Sequence, residues 1–286
     1  MWPISTTISS RKQLFTHVNE MKSGLVKQWK LIPYAMHYWY FNVVDLDTKR
    51  NYSYILARSN AEVLLNGAVF AHKPNVYTSV CADFYEHRLH IQEKNVTIEQ
   101  DVLCADDFRF GVQDNKTLLQ FEDKQFVFDR LLSDCYWANF LDIYAWYNLN
   151  ARHKNTYLNV NNVIVRGPLV PWNWLHFYFE DGTYVKVFSA VGQKKVLRLN
   201  EDYFALEYIK DEPDTISYRA TKGDIFFELV IRKEFRAQLS YRPKFSPVWK
   251  YDQINTTLES VKTNLQGFNT GQHGSGILEL TRGFSW

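Results

Sequence analysis

From Pro33 onward the apolar and polar positions of this chain alternate with a period of two, which predicts an almost wholly β protein. Short aromatic-rich runs are separated by turn residues at Asp45-Leu46-Asp47-Thr48, Gln113-Asp114-Asn115-Lys116, Asp181-Gly182 and Thr221-Lys222-Gly223-Asp224. Strands at this spacing argue for an antiparallel sandwich or barrel. Ahead of them, Leu14, Val18, Met21, Leu25 and Trp29 recur every three to four residues, so a helix is predicted within residues 10–30. Ser10 and Gln13 could form its capping box, and Gly24 is its weak point. In the run from Val170 to Tyr184, alternation places Trp172, Trp174, His176 and Tyr178 on one face and Leu175, Phe177 and Phe179 on the other. Asp181-Gly182 then reads as a tight primed turn, with glycine supplying a positive φ. The second face is plain core. The first is aromatic with polar tips, which suits either the wall of a cavity for an apolar molecule or ordinary packing.

The chain has 286 residues, enough for one large β domain or two smaller ones. Its texture changes between Asn150 and Asn162, where asparagines interrupt the aromatic runs, and the expected division is 1–158 and 159–286. Each part then holds an aromatic strand, a polar turn and a tyrosine-containing return strand. The 20 Phe, 18 Tyr and 9 Trp favour β structure and large apolar contacts. A net charge of +2, with the basic residues scattered, argues against a nucleic acid as partner. Cys81, Cys104 and Cys135 are odd in number and widely spaced, so three thiols in a reducing compartment are expected rather than a disulfide framework. The opening Met1–Thr7 lacks the basic region and apolar run of a secretory signal, and the expected location is cytoplasmic.

The residues able to move a proton in such a protein are His37, His176, Glu279 and Tyr40. Alternation puts His37 on the face of Trp39 and Phe41, and Glu279 beside Ile277 and Thr281. A carboxyl facing an apolar interior would have a raised pKa and could act as an acid. The expected catalytic set is His176, Glu279 and His37. The expected binding set is Trp39, Tyr40, Phe41, Trp172, Trp174 and Tyr178. Other constellations fail on spacing. His87 and His90 fall on opposite faces of the strand expected over Phe84–Ile91, Asp106-Asp107 and Asp211-Glu212-Asp214 lack a calcium-loop pattern, and Gly271–Gly276 is no phosphate loop. No metal, redox or nucleotide cofactor is expected.

Three segments, in order and spanning nearly the whole chain, resemble the AttH-like or hydroxyneurosporene-synthase-like family. His37-Tyr38-Trp39-Tyr40-Phe41-Asn42 is similar to its Glu-Trp-Trp-Tyr-Phe-Asn strand, departing at His37 and Tyr38. Trp172-Asn173-Trp174 with Asp181-Gly182 resembles its W-x-W strand and hairpin, and Gly274–Gly283 its closing strand, with Ile277 where tyrosine is usual. The resemblance implies two lipocalin-like (calycin) barrels and a large hydrophobic pocket inside or between them. Relatives of this kind include carotenoid 1,2-hydratases, tocopherol cyclases and Diels–Alder cyclases. The hydratases carry a His- and Asp-bearing segment before the W-x-W strand, whereas this chain has Val163–Pro171 without either residue, so hydration is disfavoured. The expectation is a cofactor-independent cyclase or isomerase acting on a bulky isoprenoid- or polyketide-like molecule. Its rivals are a lipid or terpenoid carrier and a structural or interaction protein whose aromatics are all core. The expected partner is the hydrophobic small molecule, with transient membrane contact for loading and no obligate protein partner.

Overall fold

The computed structural model describes residues 11–13, 23–29, 35–59, 63–65, 68–70, 76–113, 116–138, 144–166, 171–190, 195–243 and 248–285. The first strands are β1 (Arg11–Gln13), β2 (Ala35–Asp45), β3 (Arg50–Ser59), β4 (Val63–Leu65), β5 (Ala68–Phe70), β6 (Val76–Asp83) and β7 (Arg88–Asn95). A meander follows: β8 (Thr97–Glu99), β9 (Val102–Ala105), β10 (Phe108–Gln113), β11 (Lys116–Phe121) and β12 (Lys124–Phe128). Then come β13 (Arg130–Ala138), β14 (Tyr144–His153) and β15 (Thr156–Arg166). The chain closes with β16 (Trp172–Phe179), β17 (Tyr184–Ala190), β18 (Val196–Leu199), β19 (Asp202–Asp211), β20 (Thr215–Lys222), β21 (Ile225–Pro243), β22 (Val248–Thr263) and β23 (Gly274–Ser285).

These strands build two lipocalin-like units. In the first, the sheet β1-β13-β14-β15-β2-β3-β6-β7 and the meander sheet β12-β11-β10-β9-β8 enclose one core. Trp39, Phe41, Tyr54, Phe108, Phe110 and Phe121 fill it with contacting rings. In the second, β20-β19-β18-β17-β16-β23-β22-β21 closes into an eight-stranded antiparallel barrel through the pairing of β20 with β21. Leu175, Phe177 and Phe179 point into that barrel, as their spacing predicts. Gly274 and Gly276 make room for them: a Cβ at Gly276 would lie 2.2 Å from the His176 carbonyl oxygen, and one at Gly274 would lie 2.4 Å from the Phe177 ring. The glycines of the closing strand therefore serve packing.

Several expectations are corrected. Residues 11–13 of the expected helix form β1, paired with β13, and only 23–26 are helical among the described residues. Position 158/159 lies within β15, which pairs with β2 from Thr156 to Arg166, and the last passage of the chain from the first sheet to the second barrel's sheet falls between Arg166 and Trp172. Of the asparagines read as an interruption, only Asn155 lies in a turn; Asn150, Asn159, Asn161 and Asn162 lie inside β14 and β15. His87 sits in the β6–β7 turn with φ 54°, and the strand begins at Arg88. The β16–β17 hairpin does use a positive φ at Gly182 (+93°). Its turn spans Phe179 to Gly182, however, with Gly182 donating to the Phe179 carbonyl, so glycine occupies the bulge after the turn rather than its centre.

Candidate functional site between the barrels

A barrel strand packed against a second barrel has two buried faces, and the site lies on the faces turned away from the two cores. Along β2, Tyr40, Asn42 and Val44 leave the first core, flanked by Ile55, Ser53 and Asn51 of β3 and by Asn161, Asn159 and Tyr157 of β15. From the second barrel, Trp174, His176 and Tyr178 of β16 lie beside Glu279, Ile277 and Ser275 of β23, with Gln253 and Asn255 of β22 beyond. The two grids meet. Asn51 Nδ2 donates to Asn255 Oδ1 at 2.6 Å and to Ser275 Oγ at 2.7 Å, and Gln253 Nε2 donates to Ser53 Oγ at 2.8 Å. Tyr157 stacks on Tyr178 with centroids 4.5 Å apart and donates its hydroxyl to the Phe179 carbonyl.

Glu279 stands between Trp174 and Gln253 in this layer and is almost wholly buried. Burial pushes its carboxyl up to about 7 from 4.5, and three donors pull it back: the hydroxyls of Tyr251 and Tyr40 and the Trp172 indole N–H. Of these, Tyr251 closes a hydrogen bond, 2.9 Å to Oε2, and Gln253 Nε2 in turn donates to the Tyr251 oxygen at 3.1 Å. Tyr40 and Trp172 point at the carboxyl without reaching bonding geometry. Both are left without a partner, and so is Glu279 Oε1. The Tyr40 and Tyr251 phenols are raised well above their usual range, by burial first and by the carboxyl next, so both remain protonated donors.

Around this carboxyl the same layer holds further buried polar atoms with no partner: both amide atoms of Asn42, both ring nitrogens of His176, Tyr178 Oη, Gln253 Oε1 and Thr281 Oγ1. Buried polar groups in proteins are almost always paired, so this layer concentrates hydrogen-bonding capacity that the two barrels do not use on each other. Trp172 and Trp174 are only half-buried and form the aromatic edge. Trp174 packs against Trp146 and Phe188, and Trp172 against Tyr251. His176 is fully buried and held neutral, by desolvation first and by the nearby Lys186 charge second.

The structure divides the expected site residues by strand parity. Tyr40, Trp172, Trp174, His176, Tyr178 and Glu279 share the inter-barrel layer. His37, Trp39 and Phe41 point the other way, into the first core. His37 has both ring nitrogens bonded: Asn162 gives both amide protons to the Gly24 and Lys27 carbonyls, so its Oδ1 accepts from His37 Nε2 at 2.9 Å. His37 Nδ1 then accepts from Tyr77 Oη at 3.0 Å, and burial lowers the imidazole to about 3. With Trp39 donating to the Leu25 carbonyl, this network ties the helical turn 23–26 to the first barrel. Tyr251, Gln253, Ser53 and Asn42 were not singled out from sequence. Period-two spacing from Glu279's neighbours could have found only Asn42, two residues from Tyr40. Among the described residues no cluster of His, Cys, Asp and Glu could hold a metal ion.

No family model matches the chain, and no curated protein matches its sequence. Solved structures do match. The crystal structure of CghA superposes with a TM-score of 0.52 at 10% identity, covering 89% of this chain and 90% of that one. The chain has the fold of CghA. A protein from Nitrosomonas europaea described as a putative AttH is also similar, with a TM-score of 0.44 at 12% identity over 91% of this chain and 99% of that one.

Proposed function

We propose that this protein, as an AttH-like member of the two-barrel fold, encloses a bulky, largely apolar small molecule between its barrels. There it catalyses the molecule's cyclisation or isomerisation, with Glu279 moving the proton. The observation that carries the reading is the half-partnered carboxyl: Oε2 is held by Tyr251 while Oε1, fully buried, faces a set of polar groups without partners. A carboxyl with a pKa near 7 is poised to give and to take a proton around neutrality. Tyr40 and Trp172 aim a phenol and an indole N–H at the same place, where they can stabilise negative charge left on Glu279 after it protonates a substrate. The ring faces of Trp172 and Trp174 suit positive charge developing on a polyene. Holding such a substrate folded supplies roughly 7 to 11 kcal/mol by orientation alone.

The test begins with the molecule that co-purifies from a metabolite-rich host, identified by denaturing extraction and mass spectrometry, and then incubated with wild type and with Glu279→Gln. Conversion by wild type, with binding but no conversion by the variant, is the expected result. Recovery of the molecule unchanged from both proteins would make the same layer a carrier's binding site. A protein that neither retains a molecule nor binds an apolar fluorescent probe would defeat both readings.

A further inference from the structure

One end of the inter-barrel layer is built for charge rather than for apolar contact. Across strands β16, β17 and β18, His176 lies opposite Lys186, and Lys186 lies opposite Arg198. Two cations directly opposite one another on one face of a sheet disfavour folding. Arg198 is engaged by Glu201 and by the Asn200 carbonyl, and Glu201 also accepts from Tyr184 Oη at 2.7 Å. Lys186 reaches across to the first barrel, donating to Asn148 Oδ1 at 3.1 Å. That oxygen is held in place by a ring of buried amides. Asn148 donates to Asn161 (2.7 Å), Asn161 to Asn159 (2.6 Å), Asn159 to Asn150 (2.7 Å) and Asn150 back to Asn148 (2.9 Å). The circle runs in one direction, so it fixes every amide and turns the Asn148 oxygen towards the ammonium. Beside the ammonium stands His176, fully buried, with neither ring nitrogen partnered. The arrangement offers a cation and an imidazole N–H side by side, with the indole of Trp174 5.3 Å from the imidazole as an apolar flank.

Building on the inter-barrel reading above, we propose that Lys186 and His176 form a subsite for an oxyanion, a carboxylate or an enolate, carried by the apolar ligand. His176 is therefore a recognition residue rather than an acid. It lies opposite Ile277, two residues along β23 from Glu279, so the bound oxyanion sits roughly 7 Å along the strand from the row of the proton-moving carboxyl. The substrate class is thus a polyene or polyketide-like acid with its ionised group close to the reacting bond.

The probe is cis-parinaric acid, a fluorescent polyene acid, compared with its methyl ester at pH 8. Wild type is expected to bind the acid about tenfold more tightly than the ester, the size of a charge-assisted hydrogen bond. Lys186→Met and His176→Phe should each reduce that preference to below about threefold. Lys186→Arg, which keeps the charge, should retain it. Retention in Lys186→Arg separates loss of charge from loss of fold. Equal binding of acid and ester by wild type, or an undiminished preference in Lys186→Met, would overturn the oxyanion subsite while leaving the inter-barrel pocket standing. Binding of neither probe would overturn the pocket and the subsite with it.

Discussion

Glu279→Gln separates the carboxyl's charge from its shape, and its effect on stability follows from burial. The folded pKa of about 7 lies above the ordinary 4.5, so folding favours the protonated form. Below pH 4.5 the carboxyl is neutral in both states and costs nothing. As pH rises from 4.5 to 7, the unfolded chain ionises and the folded one does not, so unfolding releases a proton and stability falls by about 1.4 kcal/mol per pH unit. Through that window wild type should lose about 3 kcal/mol, and above pH 7 the loss levels off. Glutamine cannot ionise, and its carbonyl can still accept from Tyr251, so the variant should lack this decline. Urea unfolding of both proteins at pH 5 and pH 8 is the assay. The variant should resemble wild type at pH 5 and exceed it by about 2 to 3 kcal/mol at pH 8, while turnover at neutral pH falls roughly 10²- to 10⁴-fold. A difference between the two proteins that stays constant with pH would refute the buried neutral acid, whatever happened to activity.

Other outcomes follow from particular contacts. His37→Phe breaks hydrogen bonds to Tyr77 and Asn162 and should cost about 2 to 4 kcal/mol in urea unfolding, with turnover of the folded fraction unchanged; a selective loss of turnover would return His37 to the active site. Trp174→Ala removes a half-buried ring and should weaken binding of an apolar fluorescent probe by more than tenfold, at well below the roughly 3 to 5 kcal/mol that deleting a core tryptophan costs; equal losses in both would make the ring ordinary core. Gly182→Val should destabilise by more than Gly223→Ala. Both positions have positive φ, but valine's β-branch fits that region worse than alanine's methyl and must also displace the Arg152 guanidinium, whereas Gly223 faces open space. Comparable unfolding midpoints for the two variants would show that the hairpin tolerates a β-branched residue at Gly182.

How much could be read from the sequence depended on whether a strand had one buried face or two. On β16 alternation separated Leu175, Phe177 and Phe179 from Trp172, Trp174, His176 and Tyr178, and the structure keeps that division, with the first set filling a barrel. On β2 both faces are buried, so hydrophobicity alone could not say which one meets the core, and Trp39, Tyr40 and Phe41 read as a single aromatic patch. Their parity was nonetheless in the sequence: Tyr40 and Asn42 had to face away from Trp39 and Phe41. What separates the two faces is their polar tips. The core side carries His37 with both nitrogens bonded, whereas the other side carries a phenol and an amide with no partners. The asparagines of β14 and β15 misled for a related reason, since asparagine is disfavoured in strands and favoured in turns. Yet Asn148, Asn150, Asn159 and Asn161 are spaced by two within each strand, the one spacing that puts all four on a single face, where they satisfy one another. Glu279 could be nominated from its strand, and a raised pKa expected from burial, but the groups that set that pKa could not be named. Tyr251 and Gln253 lie on a neighbouring strand, Trp172 lies at the start of β16, and Tyr40 and Ser53 come from the other barrel. The acidity of this carboxyl is therefore a property of how the two barrels meet. A substitution at Ser53, more than two hundred positions away in sequence, should reach it through Gln253 and Tyr251.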